Sequence, residues 1–196
     1  MEIYLTIALT VAAYLIGSIS FSYILAKKAA GLDIRKVDLK TAGAVNVIIN
    51  VGPKTGVIAG MLDFLKTFLI VIMGNLIGLS LTDIFIAASF GIIGHCFPVF
   101  HKFYGGRGAA PVIGIFAYFI PLELVISAIP ALIIASLIRK WGTIPLFIIG
   151  FCPIEVYLLK RPQPLVFAVA YITLLTALLN GIITVYGREQ KVHADR

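Results

Sequence analysis

The stretch IFIAASFGIIGHCFPVFHKFYGGRG (Ile84–Gly108) decides how the chain is read. Its first part, Ile84–Phe100, is almost wholly apolar and long enough to cross a bilayer as a helix. One histidine, His95, sits inside it. The stretch then leaves the apolar phase through His101 and Lys102 and ends in Gly105-Gly106-Arg107-Gly108. A greasy span that runs into a glycine-rich loop around one arginine points to a membrane helix with an anion site at its edge.

The rest of the 196 residues follow the same pattern: 60% hydrophobic, 13% charged, with a mean hydropathy of +1.05. Soluble domains carry about 25% charged residues, so this chain lacks the polar material to coat a water-facing surface. Pro and Gly scattered through the apolar runs favour helices, and no ten-residue alternating segments suggest a β-barrel. The fold class is an all-α integral membrane protein, with residues 1–196 as one domain. Cys96 and Cys152 lie in apolar context, show no metal spacing and read as small core residues. Met1-Glu2 leads straight into apolar sequence without a basic region, so Ile3–Ala26 reads as a retained first helix.

Seven apolar segments follow in order: Ile3–Ala26, Gly56–Ser80, Ile84–Phe100, Ala109–Ile120, Leu122–Ile138, Gly142–Leu158 and Leu165–Tyr186. Ala109–Ile120 is too short to cross about 30 Å of hydrocarbon. It is expected to be a half-helix or shielded by neighbours, a feature that accompanies sites in membrane proteins. Of the 16 lysines and arginines, 13 fall on the side of the Lys27–Lys54 loop, two on the other, and Lys66 within a span. The positive-inside rule places the N-terminus outside and the C-terminus in the cytoplasm. The net charge of +7 is thus a matter of topology and anionic ligands. No aromatic-interleaved basic stretch suggests nucleic acid.

The loop Gly105–Gly108 is expected to turn backbone N–H groups toward one point, together with the N-terminus of the following helix and the fork of Arg107. The alternative is a tight turn with a topology-setting arginine. Lys102 either joins this anion cup or snorkels to headgroups. His95 is an intramembrane ionisable group, either part of the site or hydrogen-bonded across helices. Asp63 and Lys66, three residues apart, share a helix face and can pair, beside a polar cavity or as a packing device. Arg35 can attract an anion. Gly43 and Asn46 suggest a close backbone approach with an amide donor. Ser18 and Ser22 lie on one face of the first helix and suit helix packing. The ligand expected of such a site is a phosphate with a lipid tail.

Several motifs, spread over nearly the whole chain and in matching order, resemble the bacterial membrane acyl-phosphate:glycerol-3-phosphate acyltransferases. They are GSISF (Gly17–Phe21), DIRK (Asp33–Lys36), GAVNV (Gly43–Val47), LDFLK (Leu62–Lys66) and the Gly94–Gly108 block. The resemblance implies a seven-helix enzyme of the bacterial inner membrane with its motifs on the cytoplasmic side. It implies transfer of a fatty acyl group from acyl phosphate to glycerol 3-phosphate, giving lysophosphatidate without metal, coenzyme A or carrier protein. On this resemblance Arg35, Gly43, Asn46, Lys102, the Gly105–Gly108 cup and Thr143 would bind phosphate. His95 would orient or polarise, and Ser18, Asp63 and Lys66 would support them.

The resemblance departs from the family pattern at Leu39 (a serine in the family), Thr41 (asparagine), Val45 (threonine), Ile49 (arginine), Tyr104 (lysine) and Pro111 (threonine). Near the C-terminus Gly187 and Gln190 stand where the family has histidine and asparagine. His101 and His193 are the candidates to replace that histidine. These departures keep a second class in view, a relative that binds lipid phosphate or assists a membrane complex without turnover. A small transporter is the third class; no internal repeat supports it.

Overall fold

A computed structural model describes residues 1–194, and the side chains of all of these except Trp141 and residues 186–194. Among them nine α-helices follow in chain order. They are α1 (Glu2–Gly17), α2 (Phe21–Ala30), α3 (Ala44–Asn50), α4 (Pro53–Leu76), α5 (Leu81–Cys96), α6 (Ala109–Phe119), α7 (Pro121–Ile138), α8 (Ile144–Leu158) and α9 (Gln163–Ala194). No strand occurs among the described residues. Five stretches are long and apolar enough to cross a membrane: Glu2–Ala30, Pro53–Leu76, Leu81–His101, Pro121–Ile138 and Gln163–Val185. Ala109–Phe119 and Ile144–Leu158 are apolar but shorter.

The first apolar run differs from the continuous helix expected of Ile3–Ala26. α1 stops at Gly17, Ser18 turns away, and α2 restarts at Phe21 after an extended Ser20. The Ser18 hydroxyl bonds back to the Tyr14 carbonyl at 2.8 Å. The carbonyls of Gly17 and Ile19 accept instead from Lys66 Nζ, at 2.8 and 3.0 Å. A helix break leaves carbonyls unpaired, and at membrane depth a partner must be found within the protein. Lys66 supplies it from α4. Ser18 therefore lies in the break and Ser22 on α2, not on one face of a single helix.

α5 is the central helix. Of its apolar window, 61% is buried, against 22–39% for the other long stretches, and it packs on α1, α4, α6 and α9. Close approach of α1 and α5 depends on small residues. A Cβ at Gly17 would strike the Gly91 carbonyl, and one at Gly94 the Tyr14 carbonyl. Backbones that touch in this way gain dispersion contacts that lipid cannot compete with. Large apolar side chains on the outer faces of α1, α4, α7 and α9, among them Leu69, Val125, Leu137 and Leu174, are exposed. They are where lipid would lie, so the burial inside is spent on positioning α5, α4 and α6 around the polar groups described next.

Candidate functional site

A cavity of about 170 Å³ lies between the loop before α3, the N-termini of α3 and α6, and the start of α8. Gly43, Val45 and Asn46 form one side, Arg107, Gly108, Ala109 and Ala110 another, and Gly142, Pro145 and Leu146 a third; Asp63 and His95 also border it.

The glycine loop is built differently from the expected cup. The N–H of Gly105 donates to the Cys96 carbonyl at 3.2 Å and that of Gly106 to the His95 carbonyl at 3.1 Å, while the Gly105 carbonyl accepts from Ala42 N at 3.0 Å. Both N–H groups are thus committed to the protein. Glycine is required at these two positions by close packing: a Cβ on Gly105 would strike the His95 carbonyl, and one on Gly106 would strike His95 Nε2. Gly108 has φ of +82° and forms the N-terminal boundary of α6, its carbonyl accepting from Val112 N at 3.0 Å. The open donors lie one step later. Among the described residues no acceptor lies at the N–H groups of Ala109 and Ala110, and both residues border the cavity. Orphan first-turn donors with a positive dipole end suit an oxyanion. The Arg107 side chain is exposed beside them.

Other candidates are placed elsewhere. Arg35 does not border the cavity. Its Nε and Nη2 donate to Asp33 Oδ1 and Oδ2, both at 2.9 Å, and its Nη1 to the carbonyls of His101 and Tyr104 at 2.8 and 3.4 Å. Its guanidinium also lies 4.4 Å from the Tyr23 ring centroid. With its donors engaged, Arg35 braces the loop that carries Gly105. The same bond from Arg35 holds the Asp33 carboxyl below its ordinary value. Asn46 is fully buried. Its Nδ2 reaches the carbonyls of Ile34, Val37 and Thr41 at 2.7, 3.2 and 3.0 Å, and its Oδ1 accepts from Asn50 at 2.9 Å. It is a staple for the loop before α3, with no donor left for a ligand. Lys102 is exposed, in a left-handed turn at φ +58°, and is not among the residues bordering the cavity. The Thr143 hydroxyl donates to the Lys140 carbonyl at 2.6 Å; its neighbour Gly142 borders the cavity instead. Of the departures from the family pattern, Leu39, Thr41 and Val45 border the cavity, and Ile49 is exposed. Gly187, Gln190 and His193 lie outside the residues whose side chains are described.

Behind the cavity is a buried polar cluster. Lys66 Nζ is 2.9 Å from Asp63 Oδ1 and 3.1 Å from His95 Nδ1; Asp63 Oδ2 accepts from the Ser22 hydroxyl at 2.9 Å. Asp63, Lys66 and His95 are each less than 5% exposed. Three ionisable groups at membrane depth are costly unless they compensate one another. Removing one member of a buried pair typically costs about 3–5 kcal/mol.

Sequence reasoning missed Asn180. On α9 its Nδ2 donates to the Arg107 carbonyl at 2.9 Å. A groove of about 520 Å³ starts there, bordered by Arg107, Leu146, Ile149, Gly150, Thr173, Thr176 and Asn180 on α8 and α9. The signal was available: an asparagine in ALLNGII (Ala177–Ile183) is an amide inside an apolar span. Arg107 thus borders two hollows, one at the first turn of α6 and one between α8 and α9.

A family model described as glycerol-3-phosphate acyltransferase matches residues 7–188. The glycerol-3-phosphate acyltransferase of Mycoplasma capricolum subsp. capricolum is 37% identical over 144 residues, covering 70% of this chain and 56% of that protein. That of Halalkalibacterium halodurans is 39% identical over 132 residues, covering 63% of this chain and 61% of that protein. This chain therefore spans little more than half the length of the relatives it matches. The crystal structure of PlsY (YgiH), an integral membrane glycerol 3-phosphate acyltransferase, in its glycerol 3-phosphate form is similar with a TM-score of 0.79 at 27% identity, covering 96% of this chain and 90% of that one. Its lysophosphatidic acid form gives 0.74 at 26% identity.

Proposed function

We propose, because this chain belongs to the glycerol-3-phosphate acyltransferase family, that it transfers a fatty acyl group from acyl phosphate to glycerol 3-phosphate. The glycerol hydroxyl oxygen bonds to the acyl carbon, the bond from that carbon to the phosphate oxygen breaks, and the hydroxyl proton leaves with inorganic phosphate. The product is lysophosphatidate. A carbonyl already activated by a phosphate leaving group needs positioning and charge stabilisation more than a strong base.

The observation that carries this reading is the position of Arg107. It stands beside the open N–H groups of Ala109 and Ala110 in a small cavity and at the mouth of the α8–α9 groove. A phosphate head fits the first and an acyl tail the second. Arg107, Gly108 and His95 are the side chains and backbone we assign to the phosphate and reacting carbonyl; Gly43 and Asn46 shape the wall, and Arg35 holds the loop. The positive-inside distribution supports a cytoplasmic setting for this end of the bundle, within the proposed arrangement of seven segments and an outside N-terminus. The reaction as written calls for no metal ion and no coenzyme A.

The test is phosphate release by the purified protein in lipid nanodiscs given acyl phosphate and glycerol 3-phosphate. Release that requires both substrates and is lost in Arg107→Ala is expected. A second reading, lipid-phosphate binding without turnover, is favoured by the apolar Leu39 and Val45 on the cavity wall. It would be chosen by retained lysophosphatidate binding with no release above the protein-free blank.

A further inference from the structure

We propose that Lys66 is a positioning residue for His95: by donating to Nδ1 it holds the imidazole as the Nε2–H tautomer, so that the ring presents a hydrogen-bond donor on its Gly106 side. Three hydrogen-bond partners meet Lys66 Nζ, the carbonyls of Gly17 and Ile19 at 2.8 and 3.0 Å and His95 Nδ1 at 3.1 Å, while Asp63 Oδ1 at 2.9 Å is an ion-pair contact without a hydrogen bond. An ammonium has three N–H groups and no lone pair. The carboxylate and two carbonyls retain its charge, as a buried cation requires. A proton on His95 Nδ1 would face that ammonium donor to donor.

Asp63 is the more distant partner for Nδ1. Its Oδ1 is 3.5 Å from Nδ1, beyond a well-formed hydrogen bond, and its Oδ2 is held by Ser22. Nδ1 is therefore the acceptor, and the proton sits on Nε2. Among the described residues Nε2 has no acceptor, and it lies against Gly106, where any Cβ would collide with it. A ring held this way can donate to a developing oxyanion or a phosphate oxygen; it cannot take a proton at Nε2. The same lysine latches the break between α1 and α2, so that break and the ring orientation are held by one group. Only the kinetic part of the test below rests on the acyl-transfer reading.

The direct test is nitrogen NMR of the full chain, labelled with 15N-histidine, in lipid nanodiscs at neutral pH. The three histidines are distinguished by loss of the His95 signals in His95→Gln. The expected spectrum shows His95 with an unprotonated Nδ1 and a protonated Nε2. Lys66→Arg, which keeps donors, should preserve it, and Lys66→Met should move the proton to Nδ1 or give a doubly protonated ring. A wild-type ring protonated at Nδ1 overturns the proposal, whether or not Lys66→Met folds. In the acyl-transfer assay Lys66→Met should lower kcat on the order of 10- to 100-fold, as outer-shell partners do elsewhere, with KM little changed. An altered tautomer with unchanged kcat overturns the positioning role. If the wild-type spectrum is as expected and phosphate release is absent, it is the acyl-transfer reading that fails and the tautomer assignment stands.

Discussion

The side-chain amide of Asn180 donates to the backbone carbonyl of Arg107 at 2.9 Å, joining positions 73 residues apart. It ties the loop after α5 to α9 through the backbone, and among the described residues no side chain engages the Arg107 guanidinium. Asn180→Leu keeps the volume and removes the donor. One such bond is worth about 1 kcal/mol, so KM for glycerol 3-phosphate should rise about fivefold with kcat changed less. An unchanged KM would mean that Arg107 holds its place without α9.

Arg107 and Arg35 should behave as opposites. Arg107→Ala should leave thermal stability unchanged and weaken phosphate binding at least tenfold. Arg107→Lys should recover part of the loss, since an ammonium lacks the planar fork. Arg35→Ala should lower the melting temperature and speed amide exchange at Tyr104–Gly106, because it frees the carbonyls of His101 and Tyr104. Thermal melts and hydrogen exchange on the two variants separate these effects.

The Asp33–Arg35 pair carries a pH signature of known sign. The bond from Arg35 depresses the folded-state value of Asp33. Its stabilisation is therefore complete above the ordinary aspartate value of 3.8 and is lost as pH falls through the depressed one. The pair is partly exposed, so the effect is small, in the range of about 0–1 kcal/mol. The stability difference between wild type and Asp33→Asn should be constant from pH 5 to 7, on the order of that figure, and shrink only below pH 3.8.

Gly106→Ala should be poorly tolerated. The added methyl meets His95 Nε2 and, at 2.8 Å, the Ala42 carbonyl. Overpacking of this kind typically costs about 1–3 kcal/mol. The melting temperature should fall and phosphate release should drop even at saturating substrate, because the imidazole is displaced. Gly150→Ala, where a Cβ meets nothing within 4 Å, is the packing control and should leave the melting temperature unchanged.

Leu39 and Val45 test the two functional readings against each other. Both border the cavity. Leu39→Ser with Val45→Thr places two hydroxyls on its wall. A hydroxyl that reaches the phosphate adds a hydrogen bond to a charged group, which contributes more than a neutral one. If the cavity holds glycerol 3-phosphate, KM for it should fall several-fold in the double variant. An unchanged KM would place the head group elsewhere.

Membrane class, the order of apolar runs and the Asp63–Lys66 pairing were legible in the residues alone. Each depends on local composition or on a three-residue spacing, and hydrocarbon forces polar exceptions such as His95 to stand out. The roles of Arg35, Asn46 and the two inner glycines were not legible. Arg35 and Asn46 looked like ligand donors because their chemistry suits anions, yet their donors are consumed by the Asp33 carboxylate and by loop carbonyls. Gly105 and Gly106 looked like a cup because glycine permits one, whereas here it permits the loop to pack on His95. Which acceptor a donor meets across 70 residues of chain is a property of packing, and no periodicity records it. Composition and spacing placed the chain in the bilayer with a cation at its edge; only the tertiary contacts decided that, among the described residues, Arg107 and the first turn of α6 face the cavity with donors to spare, while the donors of Arg35 go to Asp33 and to two loop carbonyls.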